Sequence, residues 1–183
     1  SELERIVEEV KKLVEDHKKK LKDIVEEVEE LVRRHEKKLE DILRRNEKRV
    51  RELKEEVRRR GKLEEELVKD AERESRKNKE EIRRSNEEIH RRLKELKERI
   101  KESNDKLHED LKRLTDDIDR RVRDRKKAEE VKRRLEELLK EANKASEEVK
   151  RTLDKLLEDV NRESERVERA SDELLKRLRD DAR

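Results

Sequence analysis

The sequence predicts an all-α protein: a straight, antiparallel, up-down-up bundle of three helices, each nearly 60 residues long. Three observations carry this. Apolar residues keep a helical period along the whole chain. The period is an 18-residue repeat, and the chain is punctuated at only two places, one by glycine and one by a jump of phase. Eighteen residues is five turns of an undistorted α-helix at 3.6 residues each, so the repeat keeps a helix straight where heptads would coil it.

The first helix is expected over about 2–60. LERIVEEVKKLVEDHKKK (3–20), LKDIVEEVEELVRRHEKK (21–38) and LEDILRRNEKRVRELKEE (39–56) align Leu3 with Leu21 and Leu39, Ile6 with Ile24 and Ile42, and His17 with His35. At 100° per residue, positions 3, 6, 7, 10, 13, 14 and 17 share an arc of about 120°, the width of a core-facing stripe. His17 and His35 lie near its middle. Ser1 is the expected N-cap, with Glu2 and Glu4 at the positive end of the helix dipole. Arg58, Arg59 and Arg60 suit the negative end, and Gly61 stands where a left-handed residue closes a helix.

The second helix is expected over about 63–123. IRRSNEEIHRRLKELKER (82–99) is followed by IKESNDKLHEDLKRLTDD (100–117), which aligns Ser85 with Ser103, Asn86 with Asn104 and His90 with His108. These two histidines sit at the edge of the stripe. The third helix, about 127–181, carries repeats that start at 128, 146 and 164. Its stripe is rotated by roughly 120° from that of the second, a jump that one uninterrupted helix cannot make. The break is therefore placed near 123–127, with Asp124 as the cap. Residues 1–183 are read as a single bundle, a rod roughly 90 Å long at 1.5 Å per residue.

Composition narrows the function classes. Charged residues make up 62% of the chain and hydrophobic ones 27%, against about 25% and 45–50% in ordinary globular domains. Such a balance can mean disorder, but the strict apolar phase and the strong helix formers argue for folding. The 58 basic and 55 acidic residues are interleaved, with neither a basic block nor aromatic residues to stack on bases, so no nucleic acid is expected. Apolar runs never exceed two residues, which gives neither a membrane span nor a signal h-region. A soluble chain with no targeting segment is expected, and the missing initiator Met suggests a processed, recombinant one. Without cysteine, disulfides and thiolate chemistry are excluded and the compartment stays unread.

The polar residues inside the stripes line up across helices. In an antiparallel hairpin, residues at equal height have a constant index sum. That sum is 125 for His17 with His108 and for His35 with His90, and 124 for Asn46 with Asn78. The second hairpin gives 250 for Asn104 with Ser146 and for Asn86 with Ser164, and 251 for His108 with Asn143 and His90 with Asn161. Three layers follow. The first holds His17, Ser103, Asn104, His108, Asn143 and Ser146. The second, about 27 Å along, holds His35, Ser85, Asn86, His90, Asn161 and Ser164. The third holds Asn46, Ser75, Asn78 and Ser171.

Such layers are expected to be buried hydrogen-bond networks, where an unpartnered member costs about 1–3 kcal/mol. One role is to set register and pairing, as a buried Asn does in a coiled coil. Register needs only Asn and Ser, however, as the third layer shows. Histidine adds a group that titrates between pH 5 and 8, so His17, His35, His90 and His108 are the candidate pH-sensing residues. A neutral buried imidazole resists protonation, which puts its folded pKa below the unfolded value of about 6.5. The stability it contributes is present above that unfolded value and is lost as pH falls towards and through the folded one.

Other chemistry finds little support. Histidines 18 apart on a helix are not the i, i+4 pair of a helical zinc site. A cross-helix pair such as His17 and His108 lacks a third good ligand. Neither metal nor cofactor is expected. No hydroxyl, imidazole and carboxylate converge around a pocket, and a narrow bundle leaves little room for a small-molecule substrate. The chain is read as a non-enzyme. A monomer is expected, although the stripes are also wide enough for half of a larger assembly.

With its repeats, minimal loops and matched polar layers, the whole chain resembles de novo designed helical bundles, particularly those with buried histidine-containing networks. That resemblance implies a bundle that opens or loses assembly at endosomal pH, with the four histidines as triggers. It also implies acid-dependent membrane contact through exposed amphipathic helices. The first helix, the richest in Val, Ile and Leu, is the best candidate for that contact. The competing expectation is a purely structural scaffold whose networks set register and specificity.

Overall fold

Each helix begins and ends where local chemistry satisfies its free backbone groups. The computed structural model describes residues 1–182. Among them are three helices and no strand: α1 (Glu2–Arg60), α2 (Glu65–Arg121) and α3 (Arg125–Ala182). Ser1 and Glu4 form a capping box. The Glu4 amide donates to Ser1 Oγ at 3.4 Å, and the Glu4 carboxylate reaches back to the N-terminal ammonium. At the other end of α1, Gly61 adopts φ +75 and its amide donates to the Val57 carbonyl at 2.8 Å, an αL cap as the sequence predicts.

Three helix boundaries, the two ends of the second helix and the start of the third, differ from the sequence expectation by two residues. The sequence begins the second helix near Leu63, but α2 starts at Glu65 because the chain must first leave the left-handed turn at Gly61. The Glu64 carbonyl accepts the Val68 amide at 3.3 Å, which makes Glu64 the cap. Leu63 remains in the connection and packs beside Leu67 on the core cluster of Val50, Leu53, Ala71 and Leu178. At the second connection α2 ends at Arg121, and α3 starts at Arg125 rather than at Lys127. Asp124 caps it: its Oδ1 accepts the Lys127 amide at 3.3 Å and its carbonyl accepts that of Ala128 at 3.0 Å.

The described residues divide into two compact units, and each helix contributes to both. The first contains Ser1–Val28 and Arg92–Asp154. Its helix directions follow from its cross-helix pairs. His17 meets Ser103 and Glu27 meets Arg92, so α1 and α2 run antiparallel there. Asp119 pairs with Lys132 and His108 with Asn143, so α2 and α3 do the same. Its core joins Val10 and Val14 of α1 to Leu107, Leu111 and Ile118 of α2 and to Leu135, Leu138 and Ala142 of α3.

The second unit contains Glu29–Arg91 and the chain from Lys155 onward. His35 meets Ser85 and Asn46 meets Asn78, again antiparallel. His35 also meets Ser164, and Asn46 meets Ser171, so α1 and α3 run parallel. Leu39, Ile42, Ile82 and Val167 form one core cluster of this unit.

The burial pattern shows how the repeat works. Buried positions on α1 run 10, 14, 17, 21, 24, 28, then 32, 35, 39 and 42. Positions 10 and 28 bracket five steps over eighteen residues, which is 3.6 residues per step. No large hydrophobic is exposed among the described residues. At about 25 cal/mol per Å2 of apolar surface removed from water, burial of these stripes drives the fold.

Candidate functional site

Two imidazoles stand where the α1 stripe would otherwise carry Leu, Ile or Val. His17 is 3% exposed and His35 1%, and each has both ring nitrogens in hydrogen bonds. In the first unit, His17 Nδ1 is 2.7 Å from Ser103 Oγ on α2, and Nε2 is 2.7 Å from Ser146 Oγ on α3. The Ser146 hydroxyl donates onward to Asn104 Oδ1 at 3.3 Å. In the second unit, His35 Nδ1 is 2.7 Å from Ser85 Oγ, and Nε2 is 2.8 Å from Ser164 Oγ. One side chain of α1 thus ties both neighbouring helices in each unit.

A third network has no histidine. Asn78 donates to Asn46 Oδ1 at 2.8 Å, Asn46 donates to Ser171 Oγ at 2.6 Å, and Ser171 donates to the Val167 carbonyl at 2.9 Å. Every hydrogen bond in this chain has a fixed direction, and its last acceptor is backbone. Ser75 is buried close by in the sequence pattern, yet no hydrogen bond joins it to this network.

The six-member layers expected from the sequence are smaller than that. His90 and His108 are exposed. They form separate surface pairs, Nε2 of His90 with Asn161 Oδ1 at 2.9 Å and Nε2 of His108 with Asn143 Oδ1 at 3.0 Å. The reason is angular. Taking Ile82 as the centre of the α2 stripe, Ser85 lies about 60° to one side and His90 about 80° to the other at 100° per residue. Ser85 therefore reaches α1, while His90 leans over the rim of α3. Asn86, about 40° from that centre, joins nothing: its Oδ1 is buried without a partner. Asn104, its counterpart one repeat on, does join.

Electrostatics separates the histidines in the same way. Burial, and after it the ammonium of Lys20, holds the His17 imidazole below its ordinary value. Burial and then Lys38 do the same for His35. Sequence reasoning passed over these lysines, although their i+3 spacing from each histidine was there to be read. Both effects disfavour the imidazolium.

The Ser103–His17 spacing is that of a nucleophile and its base. The second imidazole nitrogen, however, meets a serine hydroxyl in place of the carboxylate that would stabilise an imidazolium. Amide donors for an oxyanion are also taken up by the helices. The geometry is that of a neutral hydrogen-bond bridge. Among the described residues no three His, Asp or Glu side chains gather as a metal-ligand set, and no helix is long and apolar enough to cross a membrane.

No family model matches the chain, and no match is found among curated proteins. Among solved structures, it is similar to a chain described as a computationally designed three helix bundle, with a TM-score of 0.67 and 18% identity. That similarity covers 97% of this chain and 86% of the other. The chain is a three-helix bundle. At that identity the likeness concerns the fold, and the polar networks of this bundle rest on its own residues.

Proposed function

We propose that this chain is a designed three-helix bundle whose polar networks set helix pairing and register, and whose buried imidazoles make its stability depend on pH. The observation that carries the reading is the double bridging of His17 and His35, each almost fully buried and bonded through both nitrogens. The exposed His90 and His108 are left with a peripheral part. As pH falls below the unfolded-state value of about 6.5, the unfolded chain takes up protons that the folded bundle resists, and stability is lost. A bundle opened in this way presents the apolar stripe of α1 to a membrane surface. With no large hydrophobic exposed among the described residues, the folded chain acts as a monomer.

The test is a comparison of denaturant midpoints at pH 7.5 and pH 5 for the parent bundle and for His17→Asn with His35→Asn. The parent should lose stability in acid, and the double variant should lose clearly less. Equal losses would overturn the pH-sensing reading. Leakage from anionic and neutral vesicles at pH 5, beside mass by light scattering at pH 7.5, tests the membrane and monomer parts.

The scaffold reading keeps one specific observation in its favour. The Asn46, Asn78 and Ser171 network ties the same three helices without a titrating group. A flat stability profile across that pH range would select it.

A further inference from the structure

The two histidine networks look like copies one repeat apart, but their hydroxyl hydrogens are not placed alike. In the first unit Ser146 donates to Asn104 Oδ1, and an amide oxygen can only accept. The Ser146 hydrogen is therefore committed, and its oxygen must accept from His17 Nε2–H. A neutral imidazole has one N–H, so Nδ1 is the acceptor and takes the hydroxyl hydrogen of Ser103. The order runs one way: Ser103 to His17 to Ser146 to Asn104.

In the second unit that terminal acceptor is missing. Asn86 Oδ1 has no partner, and Ser164 makes no bond to it. Either serine can then donate while the other accepts, and the two tautomers of His35 make equal numbers of bonds to the serines.

The surroundings of the two Nδ1 atoms differ as well. Ser103 is half-buried and lines a groove of about 460 Å3 between α1 and α2. Lys20, Asp23 and Glu27 of α1 and Arg99, Glu102 and Lys106 of α2 line it. From α3, Glu141 is tied to Lys18 at 2.5 Å. Ser85 is 8% exposed, and the second unit's grooves between α1 and α2, walled by Lys38, Arg45, Glu74 and Glu81 among others, include neither Ser85 nor His35. Its groove between α1 and α3, with Glu36, Glu40, Asp159, Arg162, Glu163 and Arg166 on its walls, leaves out both as well. Lys38 stands beside His35 on α1, and next to Ser85 on α2 Arg84 is held by Glu80 at 3.4 Å.

We infer that His17 is locked as the Nε2–H tautomer and takes its acid proton at Nδ1 from the groove by way of Ser103, whereas His35 is neither locked nor open to solvent. The uptake step balances simply. A solvent proton arrives at Ser103 Oγ as the Ser103 hydrogen passes to Nδ1. Nδ1–H then donates to Ser103, whose retained hydrogen turns into the groove. All bonds of the network survive with the imidazole charged. At His35 the same turn would point a hydroxyl hydrogen into the core. As pH falls, His17 protonates before His35.

This inference deepens the pH-sensing reading but fails or stands separately from it, because its first test is made at pH 8, where neither imidazole is charged. Long-range proton–nitrogen correlation spectra of the bundle labelled with 15N-histidine report the tautomer of each ring. His17 should show Nε2–H alone, and His35 an average of both forms. The half-buried Asn104 can be replaced: Asn104→Ala should release His17 into the mixed pattern and leave His35 as it was. On titration His17 should shift first. Identical tautomer populations for the two rings, Nδ1–H at His17, or His35 titrating first would overturn the inference. The His17→Asn, His35→Asn stability comparison decides the broader reading independently.

Discussion

His17 Nε2 and Ser146 Oγ stand 2.7 Å apart between α1 and α3, and the serine is only 1% exposed. Removing that hydroxyl leaves an imidazole N–H and the Asn104 carbonyl oxygen without their partner, in a place water reaches poorly. Ser146→Ala should cost about 1–3 kcal/mol, read as a lowered denaturant midpoint at pH 7.5. Ser75→Ala is the control, since Ser75 is buried without a network bond. Its change should be clearly smaller than that of Ser146→Ala, and equal losses would mean that the bond carries nothing.

Acid should weaken the bundle through His17 and His35. Both are held below the ordinary histidine value, first by burial and then by a neighbouring lysine. The stability they contribute is complete above the unfolded pKa of about 6.5 and declines as pH drops towards the folded value. The loss amounts to about 1.4 kcal/mol for each unit of depression. Denaturation curves at half-unit steps from pH 7.5 to 4.5 check this, and a midpoint that rises on acidification has the wrong sign.

His90→Gln with His108→Gln should leave that profile in place. Both histidines are exposed and each bonds one half-buried Asn, so the stability change should remain within about 0.5 kcal/mol per site. If the acid sensitivity vanished with this pair, the sensing groups would lie on the surface.

Gly61 is required for its backbone. Its φ is +75 and a methyl group there would meet nothing within 4 Å. Gly61→Ala should therefore cost about 1–2 kcal/mol, all of it conformational. A thermal midpoint unchanged by the substitution would show that the connection relaxes to another turn.

Much of the fold was legible because one repeat fixes both the helix and the stripe that it buries. Gly61 and Asp124 marked the connections through backbone chemistry that acts locally. What stayed hidden depends on where a neighbouring helix lies. His90 and Asn86 differ by little in the sequence pattern, yet one leans out over α3 and the other keeps a buried carbonyl without a donor. Index sums place residues at one height along an axis but carry no information on rotation about it. The choice between a joined layer and a rim pair is a matter of that rotation. Leu63 shows the same limit: its apolar phase fits a helix, while its backbone belongs to the turn.

The network of Asn46, Asn78 and Ser171 has a meaning that emerges from its neighbours one repeat away. Eighteen residues back or forward on the same helices stand Val28, Leu96 and Leu153, each 0% exposed. Another repeat brings Val10, Leu114 and Leu135, all buried. The histidine layers recur, so a helix shifted by one repeat could still bring an imidazole to a pair of serines. The amide layer is written once. Any such shift would set Asn or Ser against a fully buried Leu or Val, at about 1–3 kcal/mol for each stranded group. It is the one mark on an otherwise interchangeable ruler, and it leaves the chain a single alignment in which every scale agrees.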